Sequence, residues 1–149
     1  MSDPGRSHTS HRAPEPVGAY PHARQVGDLL YLSGVGPRKR GSETIPGVTL
    51  DEQGRMTDYD IEIQCRACFD NVRTILEDAG SSWASIVDVL VFLTDMKRDF
   101  ETYNRIYAET FAGEGNPNPT RTTVEVGALP TEIAVELKVV AMARGQRGV

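Results

Sequence analysis

Residues 116–143 read NPNPTRTTVEVGALPTEIAVELKVVAMA. Two prolines separated by one residue cannot continue a helix, and they force the chain before each of them into extended backbone. Arg121 to Val126 then alternates like a strand, Gly127 to Pro130 turns, and Ile133 to Ala143 forms a final strand. Ile133, Val135, Leu137, Val139 and Ala141 share one face of that strand. Two strands in succession, downstream of two helical stretches, argue for an α+β domain in which helices back a sheet.

The helical stretches lie upstream. A helix is predicted from about Asp99 to Ala112, with Phe100, Tyr103, Tyr107 and Phe111 along one face and Asn104 beside them. Ala84 to Thr94 is rich in Val, Ile and Leu, with Asp88 its only charge, and reads as a buried strand. Before it, Cys65, Cys68, Phe69, Val72, Ile75, Leu76 and Ala79 recur at helical spacing. Asp58 or Asp60 suits that helix's start and Gly80 its end. Arg38 to Gly54 reads as a long loop, with room for a hairpin. Leu29 to Leu32 is a short strand that stops at Ser33-Gly34, with a turn at Gly36-Pro37. Residues 1–16 offer little to bury and read as a flexible arm; 17–149 read as one domain without internal repeats.

The 149 residues suffice for one core that buries roughly 70% of the unfolded surface. An apolar fraction of 39% and a charged fraction of 25% are those of a soluble globular protein. A net charge of −5 supplies no basic field for phosphates, so nucleic acid is not the expected partner. No apolar run approaches the roughly 20 residues that cross a bilayer. The N-terminal stretch lacks the apolar core of a signal peptide, and two cysteines make no disulfide scaffold; the expected location is the cytoplasm.

Few residues can carry chemistry. Cys65-Arg66-Ala67-Cys68 has CxxC spacing, but no second pair completes a zinc set, and both cysteines fall on the buried stripe inside a helix. His8 and His11 lie in the arm and His22 stands alone, so no metal is expected. No GxSxG elbow is present, and Gly34-x-Gly36 leads into a loop rather than a phosphate-binding helix. Arg121, Thr123 and Glu125 share one side of their strand. Arg121, delivered by the rigid Asn-Pro-Asn-Pro segment, is placed either to fork a carboxylate or to form a surface salt bridge with Glu125 or Glu136. Glu136, between Val135 and Leu137, is either a base that deprotonates water or a solvated face residue.

The run from Asn118 through Arg121 and Gly127 to Pro130, closed by Ala134-Val135-Glu136-Leu137, resembles the signature of the Rid (YjgF) family of reactive-intermediate deaminases. Val17-Gly18-Ala19-Tyr20, Leu32-Ser33-Gly34, Asp70-Asn71-Val72 and Phe100-Glu101-Thr102-Tyr103-Asn104 match in the same order, from about Pro16 to Arg144. The resemblance implies a chorismate-mutase-like fold, a homotrimer with sites in the clefts between subunits, and cofactor-independent hydrolysis of an enamine or imine carboxylate. By motif, Arg121 would clamp the substrate carboxylate and Glu136 would position water. Tyr20, Ser33 and Asn104 would line the pocket, Gly34 would offer backbone contacts, and Thr123, where the family usually has Cys, would supply a hydrogen bond. Lys138 stands where the family often has a second Glu. The long arm and the Pro37-Arg38-Lys39-Arg40 insertion look most like the 2-aminomuconate deaminase branch, whose substrate is a dicarboxylate. Arg38, Arg40, Lys39 and Arg24 are then candidates to hold the distal carboxylate. The alternatives are a general 2-aminoacrylate-type deaminase and a non-catalytic trimeric sensor of a small carboxylate.

Overall fold

In the computed structural model, which describes residues 5–144, the apolar stripes find one another across a six-stranded mixed sheet. The strands are β1 (Arg6–His8), β2 (Ala23–Val26), β3 (Leu29–Leu32), β6 (Ile86–Leu93), β7 (Thr120–Glu125) and β8 (Val135–Met142), in the order β1-β2-β3-β8-β6-β7. A small hairpin, β4 (Val48–Leu50) and β5 (Met56–Tyr59), stands apart. Only β6 and β7 run parallel, because the helix between them returns the chain to the same end; every other pairing is antiparallel.

Helices α1 (Ile61–Asp78) and α2 (Met96–Phe111) cover one face of this sheet. Val135, Leu137, Val139 and Ala141 of β8 and Val89, Val91 and Leu93 of β6 are all fully buried against them. Both helices start on an aspartate: Asp60 accepts from the Ile63 amide at 3.1 Å and Asp95 from Arg98 at 3.1 Å. α1 ends in a Schellman motif. Gly80, at φ +80°, lets Ser81 N–H reach Leu76 O at 2.8 Å and its own N–H reach Glu77 O at 3.0 Å. After α2, Asn118 adopts φ +50° and both donates to and accepts from the Gly113 backbone at 2.9 Å, which aims the chain into β7.

Three expectations are corrected. The segment expected as a free arm is packed over its described part: β1 pairs with β2, Ser10 is 2% exposed and Ala13 is fully buried. Its carbonyls are satisfied by side chains from distant parts of the chain, which composition cannot reveal. The hairpin that the long loop had room for does form, but it runs from Val48 past Gly54, the expected end of the loop, to Tyr59. Phe100 leaves the buried face of α2 and is 38% exposed.

Candidate functional site

Sheet register decides which of the candidate residues meet. Arg121 is level with Val89 and, through it, Val139; Glu136 is level with Phe92. Positions 136 and 139 differ by an odd number, so their side chains leave opposite faces. Arg121 and Thr123 therefore project toward the helices, and Glu136 and Lys138 toward the uncovered face. Within one chain the expected clamp and the expected base do not share a crevice. Each instead stands among its own candidate residues, one half of them on either face of the sheet.

The Arg121 half rests on α2. Its Nη2 donates to Asn104 Oδ1 at 2.6 Å, and the guanidinium carbon lies 4.6 Å from the Tyr107 ring centroid, 5.6 Å from that of Tyr103 and 5.8 Å from that of Phe100. The alternative of a salt bridge to Glu125 is not what forms: Glu125 caps α2, accepting from the Met96 amide at 2.9 Å. A single hydrogen bond uses one of five guanidinium donors, so the fork is oriented but not saturated. Among the described residues, the hydroxyls of Tyr103, Tyr107 and Thr123 are buried without a hydrogen-bond partner. Burial pushes the Tyr107 hydroxyl up to about 12, although the nearby Arg121 charge pulls it down. Both tyrosines stay neutral donors.

The Glu136 half is a small cavity at the end of β3, partly open to solvent. Tyr20, Ser33, Gly34, Arg38 and Glu136 line it together, with Pro14, Pro16, Val17, His22 and Thr131 completing the walls. Gly34 lies directly against the carboxylate: a Cβ at this position would lie 2.8 Å from Glu136 Oε2 and would displace that side chain. Ser33 donates to Pro21 O at 2.7 Å, which fixes its hydroxyl. Burial raises the Glu136 carboxyl above its usual range, and Arg38 partly offsets this. Lys138, beside Glu136 on the same face, donates to Leu32 O, and burial lowers its ammonium pKa.

The other basic candidates divide. Arg38 borders the cavity, whereas Arg40 turns to the N-terminal segment: its Nε donates to Ala13 O at 2.6 Å and its Nη2 to Ser10 O at 3.0 Å. Lys39 lines a separate surface groove with Arg40 and Glu43, and Arg24 lies against Gly5 on the exposed side of β2. Cys65 and Cys68 are fully buried. Burial pushes the Cys65 thiol up to about 12, and Cys68 donates to Val35 O at 3.0 Å, so the CxxC pair is core. Residue-by-residue reading missed the aromatic bed and the cavity walls. The bed had a signal, since Tyr103 and Tyr107 stand one residue before and three after Asn104 on the same helix. The walls Pro14 and Pro16 had none, whereas Val17 opens the Val17-Gly18-Ala19-Tyr20 motif.

Comparison with known proteins adds an independent line. A family profile described as Endoribonuclease L-PSP matches residues 10–143. A RutC family protein of Pyrococcus abyssi is 34% identical over 131 residues, covering 87% of this chain and 91% of that protein. Reactive Intermediate Deaminase A, chloroplastic, of Arabidopsis thaliana is 32% identical over 133 residues, covering 89% of this chain and 63% of its own length. The crystal structure of Escherichia coli TdcF with bound serine superimposes with a TM-score of 0.77 at 29% identity, over 92% of this chain and 98% of that one. The helix-backed mixed sheet is thus a fold shared with these relatives.

Proposed function

We infer the function from one premise: the chain belongs to the endoribonuclease L-PSP family, which also carries the names Rid and YjgF. Its activity, in our reading, is hydrolytic deamination of an enamine or imine carboxylate; the name of the Arabidopsis relative, a reactive intermediate deaminase, supports the deamination. The observation that carries this reading is the pair of half-sites on opposite faces of one sheet. One is a guanidinium held on aromatic rings beside unpartnered hydroxyls; the other is a carboxyl of raised pKa above a glycine edge. Two copies of the chain, packed through the uncovered face and the β7 edge, would join them. That face presents Val26 (46% exposed) and Tyr31 (40%), and Tyr20 beside the cavity is 42% exposed, apolar surface of the kind that a partner copy covers. The proposed assembly is a homotrimer with sites between neighbours.

The chemistry follows from the residues. The enamine tautomerises to an imine, whose carbon is electrophilic. Arg121 holds the adjacent carboxylate in a two-pronged contact and so orients the imine carbon. Glu136 takes a proton from water as the oxygen bonds to that carbon and passes it to the nitrogen, giving a neutral carbinolamine. Glu136 then takes the carbinolamine hydroxyl proton as the carbonyl forms and delivers it to the nitrogen as the C–N bond breaks, yielding a ketone and ammonia. Its raised pKa suits both transfers. Tyr20 and Thr123 supply hydrogen bonds to nitrogen or water. No cofactor enters this scheme.

The substrate we propose is 2-aminomuconate, which becomes 2-oxohex-3-enedioate. Arg38, lining the Glu136 cavity, is the cation for its distal carboxylate. The test is ammonia release from freshly generated 2-aminomuconate and, in parallel, from 2-aminoacrylate. Faster turnover of the dicarboxylate supports the specific reading; equal turnover reduces it to a general deaminase. Binding of either carboxylate without ammonia release would leave a sensor.

A further inference from the structure

We propose that residues 10–17 form a strap closing one wall of the Glu136 cavity, and that Arg40 is its latch, a positioning residue for the reaction rather than a contact for substrate. The proposal rests on the cavity being the substrate site. Pro14, Pro16 and Val17 line that cavity, so the position of the strap sets its width. Proline has no N–H, and a segment with Pro14 and Pro16 cannot be tied down as a sheet strand. Its carbonyls still need donors. Arg40 supplies them from the basic loop: Nε to Ala13 O at 2.6 Å, Nη2 to Ser10 O at 3.0 Å, and Nη1 to the Glu15 carboxylate at 3.1 Å. Arg38 adds Nη2 to Glu15 O at 2.7 Å.

The other edge is pinned by His22. Its Nδ1 accepts from Ser10 N–H at 3.0 Å, which leaves Nε2 to donate to Pro14 O at 2.8 Å. Ser10 Oγ and Arg12 then tie the far end to Asp78 of α1, both at 2.6 Å. Three donors on one planar group, aimed at three residues of a single segment, match a guanidinium and not an ammonium. The same insertion thereby does two things: Arg38 borders the cavity beside Glu136, and Arg40 holds the opposite wall against it.

The test compares the full-length wild type with Arg40→Ala and the milder Arg40→Lys. Backbone hydrogen exchange, measured without substrate, reads the strap directly. Ser10 and Ala13 amides, bonded to His22 Nδ1 and Ser10 Oγ, are expected to lose nearly all their protection in Arg40→Ala, with α1 and β6 unchanged. Steady-state ammonia release reads the site. A strap closed a tenth of the time raises KM about tenfold with little change in kcat, and Arg40→Lys gives an intermediate value. Unchanged exchange with raised KM would mean that Arg40 touches substrate, and would overturn the latch. Faster exchange with unchanged kinetics would overturn the strap as a wall of the site. A wild-type chain that releases no ammonia would overturn the deaminase reading, while the exchange arm would still decide whether Arg40 holds the strap.

Discussion

Arg121 is held by a neutral amide and aromatic faces, not by an acid, and that choice of partners keeps its charge available for a ligand. Arg121→Ala is expected to lower kcat/KM by about 30-fold or more, corresponding to roughly 2 kcal/mol or more for losing a clamp on a buried carboxylate. Arg121→Lys should recover little, because an ammonium cannot fork; near wild-type kinetics in either variant would remove the clamp. Glu136 makes the opposite kind of prediction, one in which activity and stability diverge. Its folded-state pKa is raised, so between the ordinary carboxylate value and that raised value the native chain binds more protons than the unfolded one. Stability therefore falls as pH rises through this window. Glu136→Gln removes the titration: it should melt above the wild type at neutral pH and alongside it in acid, while turnover falls about 100-fold or more with the loss of the base. Melting curves from acid to neutral pH check the first statement and ammonia release the second. A variant that keeps full turnover would move the proton transfer to another group.

At the scale of elements, α2 links stability to the site, since it presents Asn104 and the rings beneath Arg121. Asp95 caps its first turn, and Asp95→Ala is expected to cost about 1 kcal/mol, a fall in melting temperature of roughly 2–4 °C. Glu125 also accepts from the Met96 amide, so the helix should stay in place and kcat should change less than twofold, or about 0.4 kcal/mol. Differential scanning calorimetry and ammonia release check the pair; a large loss of activity would mean that the cap positions the site directly. Elements like α2 were legible because their stripes repeat at 3.6 residues and end in recognisable caps. β8 was legible for the same reason, with every second residue buried. β1 and β2 were not, because Arg-Ser-His and Ala-Arg-Gln-Val bury one small side chain, Ala23, and are held through backbone pairing. The strap was not legible for a related reason: two of its anchors, Arg40 and Asp78, lie far from it in the chain. Of the candidate site, Tyr20, Ser33, Gly34 and Glu136, named from motif, do line one cavity. The division of the candidate residues into two halves was not legible, since the parity linking Arg121 to Glu136 passes through β6 and needs the sheet order.

For the whole molecule, that parity has a consequence that single-chain variants cannot reach. In the proposed assembly, Arg121 on one face of the sheet and Glu136 on the other reach one site only when neighbouring copies each contribute one half. A chain carrying Arg121→Ala retains an intact Glu136 half, and a chain carrying Glu136→Gln retains an intact Arg121 half. Each alone is expected to be nearly inactive. When the two are unfolded together in equal amounts and refolded, every site draws one half from each of two neighbours. Half of the clamps are intact and half of the bases are intact. With random mixing, about a quarter of the sites then hold both, so the mixture should recover about 25% of wild-type ammonia release. Separately refolded variants, combined afterwards without exchange, should recover none. Recovery in the co-refolded sample alone assigns the site to the interface. No recovery in either sample would mean that both groups act from one chain or that one of them does not act, and the shared-site deaminase would be overturned. Kinetics on the recovered fraction sharpen the result. Intact sites should show wild-type KM with kcat reduced in proportion to their number, whereas repaired but distorted sites would show a changed KM as well.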